Sequence, residues 1–322
     1  VLVSEMMLQQ TQVATVVPFF LRWMARFPDP ATLARADDDE VHKLWEGLGY
    51  YRRARFLKET TGIVAERGWP EDLGSLPGLG PYTAAALAAI AFQRPEPALD
   101  GNLYRVLARL LGLTEDPRTR AKELREWLSP ALAAMGPSRI TQALMDLGAS
   151  ACGPRADCPS CPLETACEAR RLGIVDRIPK PVERAKVSRV ELRLLAIEAA
   201  GGWLLREPSR RGLLSGLWRW PAQEGDLVPC GGVPVTVRAA GLWKPWVQVY
   251  THRRELVTPM SIRLSEAFPA PPGHAWVPEA ELAKRPLGKR DQRLRTLLGE
   301  PTAAGADPAV VSALLCWIAA GL

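Results

Sequence analysis

Residues 76–102 read LPGLGPYTAAALAAIAFQRPEPALDGN, and the rest of the chain is organised around them. Pro77-Gly78-Leu79-Gly80-Pro81 is a tight turn. Gly78 and Gly80 can take positive φ at little cost, and Pro81 suits the first position of a helix. A turn of this kind leaves backbone N–H groups at a helix N-terminus, where a phosphate can bind. The same turn also serves as an ordinary helix–helix connection. The small apolar run that follows reads as a buried helix, closed at Arg94-Pro95. A single acid, Asp100, then stands before Gly101 and Asn102, where it can cap the next helix, face a pocket, or do both.

LPGLGPYTAA resembles the helix-hairpin-helix of DNA glycosylases, and LDGN resembles the acid-bearing segment that follows it in that superfamily, at matching spacing. The chain before the turn supports the likeness. Glu5 stands among apolar residues in VLVSEMMLQQTQ; a shielded carboxyl has a raised pKa and suits a general acid, whereas a solvent-facing Glu does not. Gln9 and Gln10 are odd in an apolar helix and fit a helix junction capped by Thr11. SEMMLQQTQVATVVPFF resembles the signature of the adenine DNA glycosylase (MutY) family. That resemblance implies that Glu5 is the catalytic acid and that Gln10 probes the DNA stack beside the lesion.

The acidic run 37–40 fits a helix N-terminus. In LWEGLGYYRRARFLKE, Gly47 and Gly49 break the helix, and tyrosines stand beside arginines, a pattern that suits base stacking with phosphate contacts or, failing that, a helical core. The segment resembles the family's WEGLGYY stretch, which implies that Tyr51 inserts beside the damaged guanine. Arg52 stands where the family has a small residue.

Helices are predicted at about 102–112, 118–134 and 138–150. The last leads into Cys152, Cys158, Cys161 and Cys167, which suggest a metal site rather than disulfides. Spacing alone leaves zinc and iron–sulfur open, with the helical context leaning to the latter. The family resemblance implies a [4Fe–4S] cluster, although the first gap here holds five residues (GPRAD) where the family has six. Cys230 and Cys316 read as isolated thiols.

The chain has 322 residues, 47% hydrophobic, a net charge of +6 and a pI near 9.1, enough for two cored domains and a modest bias toward a polyanionic partner. It starts at Val1, inside what reads as a helix already under way, so further residues are expected before it. No apolar run approaches a membrane span and no signal peptide is visible, so a soluble intracellular protein is expected; the family resemblance implies a bacterial cytoplasmic protein acting on nucleoid DNA.

The expected organisation is a helical domain over 1–173, a linker over 174–190, an α+β domain over 191–300 and an apolar tail over 301–322. Short strands with Gly and Pro turns, then a helix over 279–299, give the second domain its class. WLLREPSRRGLLSGLWRWP resembles the Nudix-like C-terminal domain of MutY, and no glutamate cluster for magnesium accompanies it. Tyr250-Thr251-His252 aligns with the family's Phe-Ser-His loop. This implies that Thr251 and His252 meet 8-oxoguanine, with Thr keeping the hydroxyl. The tail lies outside the resemblance, and packing on the body or an oligomer contact both remain open for it.

Taken together, the resemblance implies a monofunctional glycosylase, a monomer on double-stranded DNA, removing adenine opposite 8-oxoguanine or guanine. Glu5 would protonate the base, Asp100 would face the cationic sugar, and Tyr82 and Asn102 would support them. A lysine at position 82 would mark a lyase; Tyr82 cannot form an imine. A mismatch glycosylase with another target base and an inert DNA-binding module are the alternatives.

Overall fold

The structure, a computed structural model, describes residues 1–180, 187–209, 212, 214–225 and 235–320. The middle of the expected linker, 181–186, lies outside the described residues. Two compact units are formed: Val1–Ala34 with Phe56–Arg184, and Arg35–Arg55 with Ala185–Leu322. Neither is one continuous stretch of chain.

The helices before the sheet are α1 (Leu2–Leu8), α2 (Val13–Arg26), α3 (Pro30–Arg35), α4 (Asp38–Trp45), α5 (Arg52–Arg67), α6 (Pro81–Phe92), α7 (Gly101–Leu111), α8 (Ala121–Met135), α9 (Pro137–Ala149) and α10 (Glu168–Arg171). The first unit is helical. Its α6 is apolar all round, as a buried helix must be, with residues 85–89 all buried. Leu103, Val106 and Leu107 of α7 pack with Leu124, Leu128 and Leu132 of α8 and Leu147 of α9, following the three-and-four spacing of one helix face. Two details differ from the sequence expectation. Gln12, not Thr11, occupies the N-cap position of α2, without a side-chain capping bond. Thr11 instead turns its hydroxyl to the Gln9 carbonyl.

The second unit is a mixed sheet of β1 (Ser188–Ala199), β2 (Gly202–Arg206), β3 (Ala222–Glu224), β4 (Val237–Leu242), β5 (Trp246–Val249), β6 (Arg253–Leu264), β7 (His274–Pro278) and β8 (Ala304–Gly305), with α11 (Glu279–Leu282), α12 (Lys289–Leu297) and α13 (Pro308–Ala319). The central pair, β1 and β6, is parallel, in register from Ser188↔Arg253 to Glu198↔Arg263. Around it the order is β7-β2-β1-β6-β4-β8, with β3 on β1 and β5 on β6.

Strand alternation gives the sheet two apolar faces. Leu192, Leu194, Val257 and Trp246 face one core, which Leu294 of α12 completes. Leu195, Ile197, Met260 and Ile262 face the other, which Val311, Leu314, Leu315 and Ile318 of α13 cover. The tail is thus part of this unit's core. The helix expected over 279–299 is two helices, because Pro286 and Gly288 fall between them. Cys316 takes part in a disulfide, against the isolated-thiol reading. Cys230 lies outside the described residues.

Candidate functional site

In the first unit, α1 and α6 bring Glu5 and Tyr82 together. The Tyr82 hydroxyl donates to Glu5 Oε2 at 3.1 Å, across 77 positions of sequence. Glu5 is buried, and burial pushes its pKa up, while the Tyr82 hydrogen bond pulls the other way and the Asp100 charge adds to the rise. Burial and the charges of Glu5 and Asp100 together push the Tyr82 phenol up, so Tyr82 stays neutral and donates. Beside this pair, Gln9 Nε2 donates to Thr83 Oγ1 at 2.9 Å, fastening the end of α1 to the start of α6.

Asp100 is half-buried at the N-terminus of α7, where its Oδ1 accepts from Leu103 N at 2.6 Å. Its second oxygen has no protein partner among the described residues. Burial therefore biases the Glu5 carboxyl toward its protonated form, while Asp100 sits at the N-terminus of α7 as its side-chain cap. Asn102 does not join them. It is exposed, and its amide oxygen accepts from Arg105 Nη2 at 3.0 Å.

Gln10 is exposed at the break between α1 and α2, with a left-handed backbone at φ +56°. Such a conformation is unusual for a residue other than glycine and marks a junction that holds its side chain outward.

In the turn before α6, only Gly78 has positive φ, +76°. A Cβ there would come within 2.6 Å of Phe56 Cβ, so glycine is required on two grounds. Gly80 does not use that freedom: it caps α6 with extended backbone at φ −70°, and a Cβ there would meet nothing within 4 Å. Gly80 is exposed, and the first N–H groups of α6 beyond it remain available to an anion.

In the second unit, the expectation for Tyr51 is also corrected. Tyr51 is buried and its hydroxyl accepts from Gly47 N at 3.2 Å, so it cannot enter a base stack without leaving the core. The exposed aromatic is Tyr50, 44% accessible, with φ +48°. Its hydroxyl shares a 2.7 Å hydrogen bond with Thr251 Oγ1 in the β5–β6 connection. Thr251 and His252 are both exposed.

Sequence reading also missed Arg53. Its guanidinium is buried rather than on the surface, donates to the carbonyl of Gly49 at 2.9 Å, and lies 5.3 Å from the Trp45 ring centroid. Burial lowers its pKa to about 10. The signal available was the pair of glycines before it, whose carbonyls need a donor.

All four cysteines, Cys152, Cys158, Cys161 and Cys167, carry free thiols and line one small pocket in the first unit. Among the described residues, no three metal-ligating side chains are grouped as a single ion would need. An all-sulfur donor set of this kind suits either zinc or an iron–sulfur cluster. Arg109 braces this loop, donating to the Gly153 carbonyl at 2.7 Å and toward Cys152 Sγ at 3.6 Å, while Cys167 Sγ donates to the Arg109 carbonyl at 3.4 Å. Asp157 N closes the short first gap on the Ala151 carbonyl at 2.8 Å.

Residues 3–130 match the HhH-GPD superfamily base excision DNA repair protein family. The chain is 37% identical to the Arabidopsis thaliana adenine DNA glycosylase over 263 residues, which is 68% of this chain and 41% of that one. It is 43% identical to the Homo sapiens adenine DNA glycosylase over 180 residues, 52% of this chain and 33% of that one. It therefore spans less than half the length of these two relatives. Among solved structures, a thermostable thymine-DNA glycosylase superposes with a TM-score of 0.46 at 24% identity, covering 53% of this chain and 83% of that one.

Proposed function

The chain belongs to the adenine DNA glycosylase (MutY) family of the HhH-GPD base excision repair superfamily, and on that premise we propose that it hydrolyses the N-glycosidic bond of adenine paired with 8-oxoguanine or guanine in double-stranded DNA. The observation that carries the reading is the buried Glu5, bonded to Tyr82 and biased toward its protonated form, in the same unit as the half-buried Asp100.

The target base must leave the stack, at a cost of a few kcal/mol. Glu5 gives its proton to N7 of the extruded adenine. The C1′–N9 bond breaks with its electron pair passing to the base, and the sugar becomes oxocarbenium-like. The Asp100 carboxylate opposes that positive charge until water adds at C1′, as in glycoside hydrolysis. Tyr82 holds Glu5 in place. It offers no amine for an imine, so the enzyme is monofunctional. Asn102, exposed and tied to Arg105, supports α7 rather than the reacting atoms.

The turn at Gly78 and Gly80 holds a backbone phosphate, and Gln10 probes the stack. On the opposite strand, Tyr50 rather than Tyr51 stacks beside the oxidised guanine, with Thr251 and His252 meeting its edge. Cys152, Cys158, Cys161 and Cys167 would hold a [4Fe–4S] cluster, which would tie the 152–167 loop together. The protein works as a monomer in the bacterial cytoplasm. Among the described residues, no helix is long and apolar enough to cross a membrane.

The test is adenine release from a duplex with one A opposite 8-oxoguanine, compared with A opposite G and T opposite G. Release from the first two and not the third is expected. Selective thymine release would overturn the assignment of the base. No release from any duplex, with DNA binding intact, would favour an inert binding module. Efficient borohydride trapping of abasic DNA would overturn the monofunctional reading.

A further inference from the structure

Tyr50 and Thr251 are 201 positions apart in sequence, yet their hydroxyls are hydrogen-bonded. Something must fix the turn at 47–51 relative to the β5–β6 connection. Both lie in the second unit. The helix before the turn, α4, is fastened to the sheet's connections by two carboxylates. Asp39 accepts from Trp218 Nε1 with both oxygens, each at 3.2 Å, and from Arg285 Nη1 at 2.9 Å. The Arg285 guanidinium lies over the Trp218 ring at 4.9 Å, so the three groups brace one another. Glu46, at the far end of α4, accepts from Leu287 N at 2.8 Å and pairs with Lys43 at 2.7 Å. Between these points His42 sits so close to Gly216 that a Cβ there would come within 2.2 Å of its Nε2.

We propose that Asp39 is a positioning residue for lesion reading: by holding α4 on Trp218 and Arg285 it sets where Tyr50 stands against Thr251, and so governs the preference for adenine opposite 8-oxoguanine over adenine opposite guanine. The inference rests on the reading that Tyr50 and Thr251 meet the oxidised base. Asp39 lies in the unit that does not hold Glu5 and Asp100, so its loss acts on the opposite-base readout and leaves the proton donor and its partner unaltered. Removing the carboxylate strands the indole N–H and the guanidinium, and α4 loses one of its two carboxylate anchors.

The experiment is single-turnover adenine release by the full chain on both duplexes. In Asp39→Ala the preference for 8-oxoguanine falls about tenfold, since misplacement of a positioning contact by about 1 Å costs up to ~100-fold. The rate on A opposite G stays within about twofold of wild type. Trp218→Phe, which keeps an aromatic ring but deletes the indole donor and part of the ring surface, moves the preference the same way by less and serves if Asp39→Ala does not fold. Asp39→Asn, which keeps an acceptor oxygen, restores part of the loss. Combined with Tyr50→Phe, the Asp39→Ala loss is less than additive, because both act through one contact. Unchanged preference in Asp39→Ala, an equal loss on both duplexes, or strict additivity with Tyr50→Phe would each overturn the proposal. A wild-type protein without any preference overturns the lesion reading itself, and that result is separate from the behaviour of the variants.

Discussion

Asp100 performs two jobs that a pair of substitutions separates. Its Oδ1 caps α7 through Leu103 N at 2.6 Å, and its charge is assigned to the sugar cation. Asn caps a helix about as well as Asp, so Asp100→Asn should fold with a stability within a few tenths of a kcal/mol of wild type, whereas Asp100→Ala should lose ~1 kcal/mol. The charge effect is larger. A unit charge about 4 Å from the cation, at an effective dielectric constant near 20, stabilises it by ~4 kcal/mol. At 1.36 kcal/mol per decade, that is roughly a thousandfold in the chemical step. Both variants should therefore lose catalysis to a similar extent while differing in melting temperature. The assay is single-turnover adenine release beside thermal unfolding. If Asp100→Asn kept more than about a tenth of the rate, the electrostatic assignment would fail. If the rates tracked the stabilities, the carboxylate would be only a cap.

Glu5→Gln should abolish adenine release while sparing DNA binding, and its stability should depend on pH in a defined direction. Burial raises the folded-state pKa of Glu5, so the wild type loses stability as pH rises through that raised value, and the neutral Gln does not. The variant should match wild type in acid and exceed it at higher pH in thermal melts; the reverse order would contradict the burial argument. Tyr50→Ala should weaken discrimination between 8-oxoguanine and guanine, whereas Tyr51→Phe, which loses only the bond to Gly47 N, should cost ~1 kcal/mol of stability and leave discrimination intact. Gly78→Ala should destabilise by at least ~1 kcal/mol from the left-handed backbone alone and weaken duplex binding, read by melts and salt-dependent affinity. Cys161→Ser should lower iron per chain and the visible absorption near the brown iron–sulfur band; full iron content would remove Cys161 from the ligand set.

The reach of sequence reading follows the range of the forces involved. The apolar α6, the capping Asp100 and the start of α7 are local, and local chemistry made them legible. The pairing of Glu5 with Tyr82 was implied by motif but not by spacing, since it closes over 77 positions. The choice between Tyr50 and Tyr51 is decided by which ring finds room in the core, and adjacent identical residues give no local signal of that. Gly78 and Gly80 look equivalent in one turn until the backbone angles separate them. Asp39 read as part of an acidic helix start, which it is; its bonds to Trp218 and Arg285 come from residues about 180 and 246 positions away. The α13 tail was apolar enough to be noticed, but only the bare second face of the sheet says where it goes.

Because residues 35–55 pack with the sheet and not with the helices that flank them in sequence, no single scission yields two whole halves. A fragment ending at 184 would carry α4 with its carboxylates facing water, and a fragment beginning at 185 would have a vacant seat at Trp218 and Leu287. Any chimera that imports the C-terminal portion from a relative must bring the matching short insert from near the front as well. The two pieces pack as one unit, though the ribosome makes them far apart.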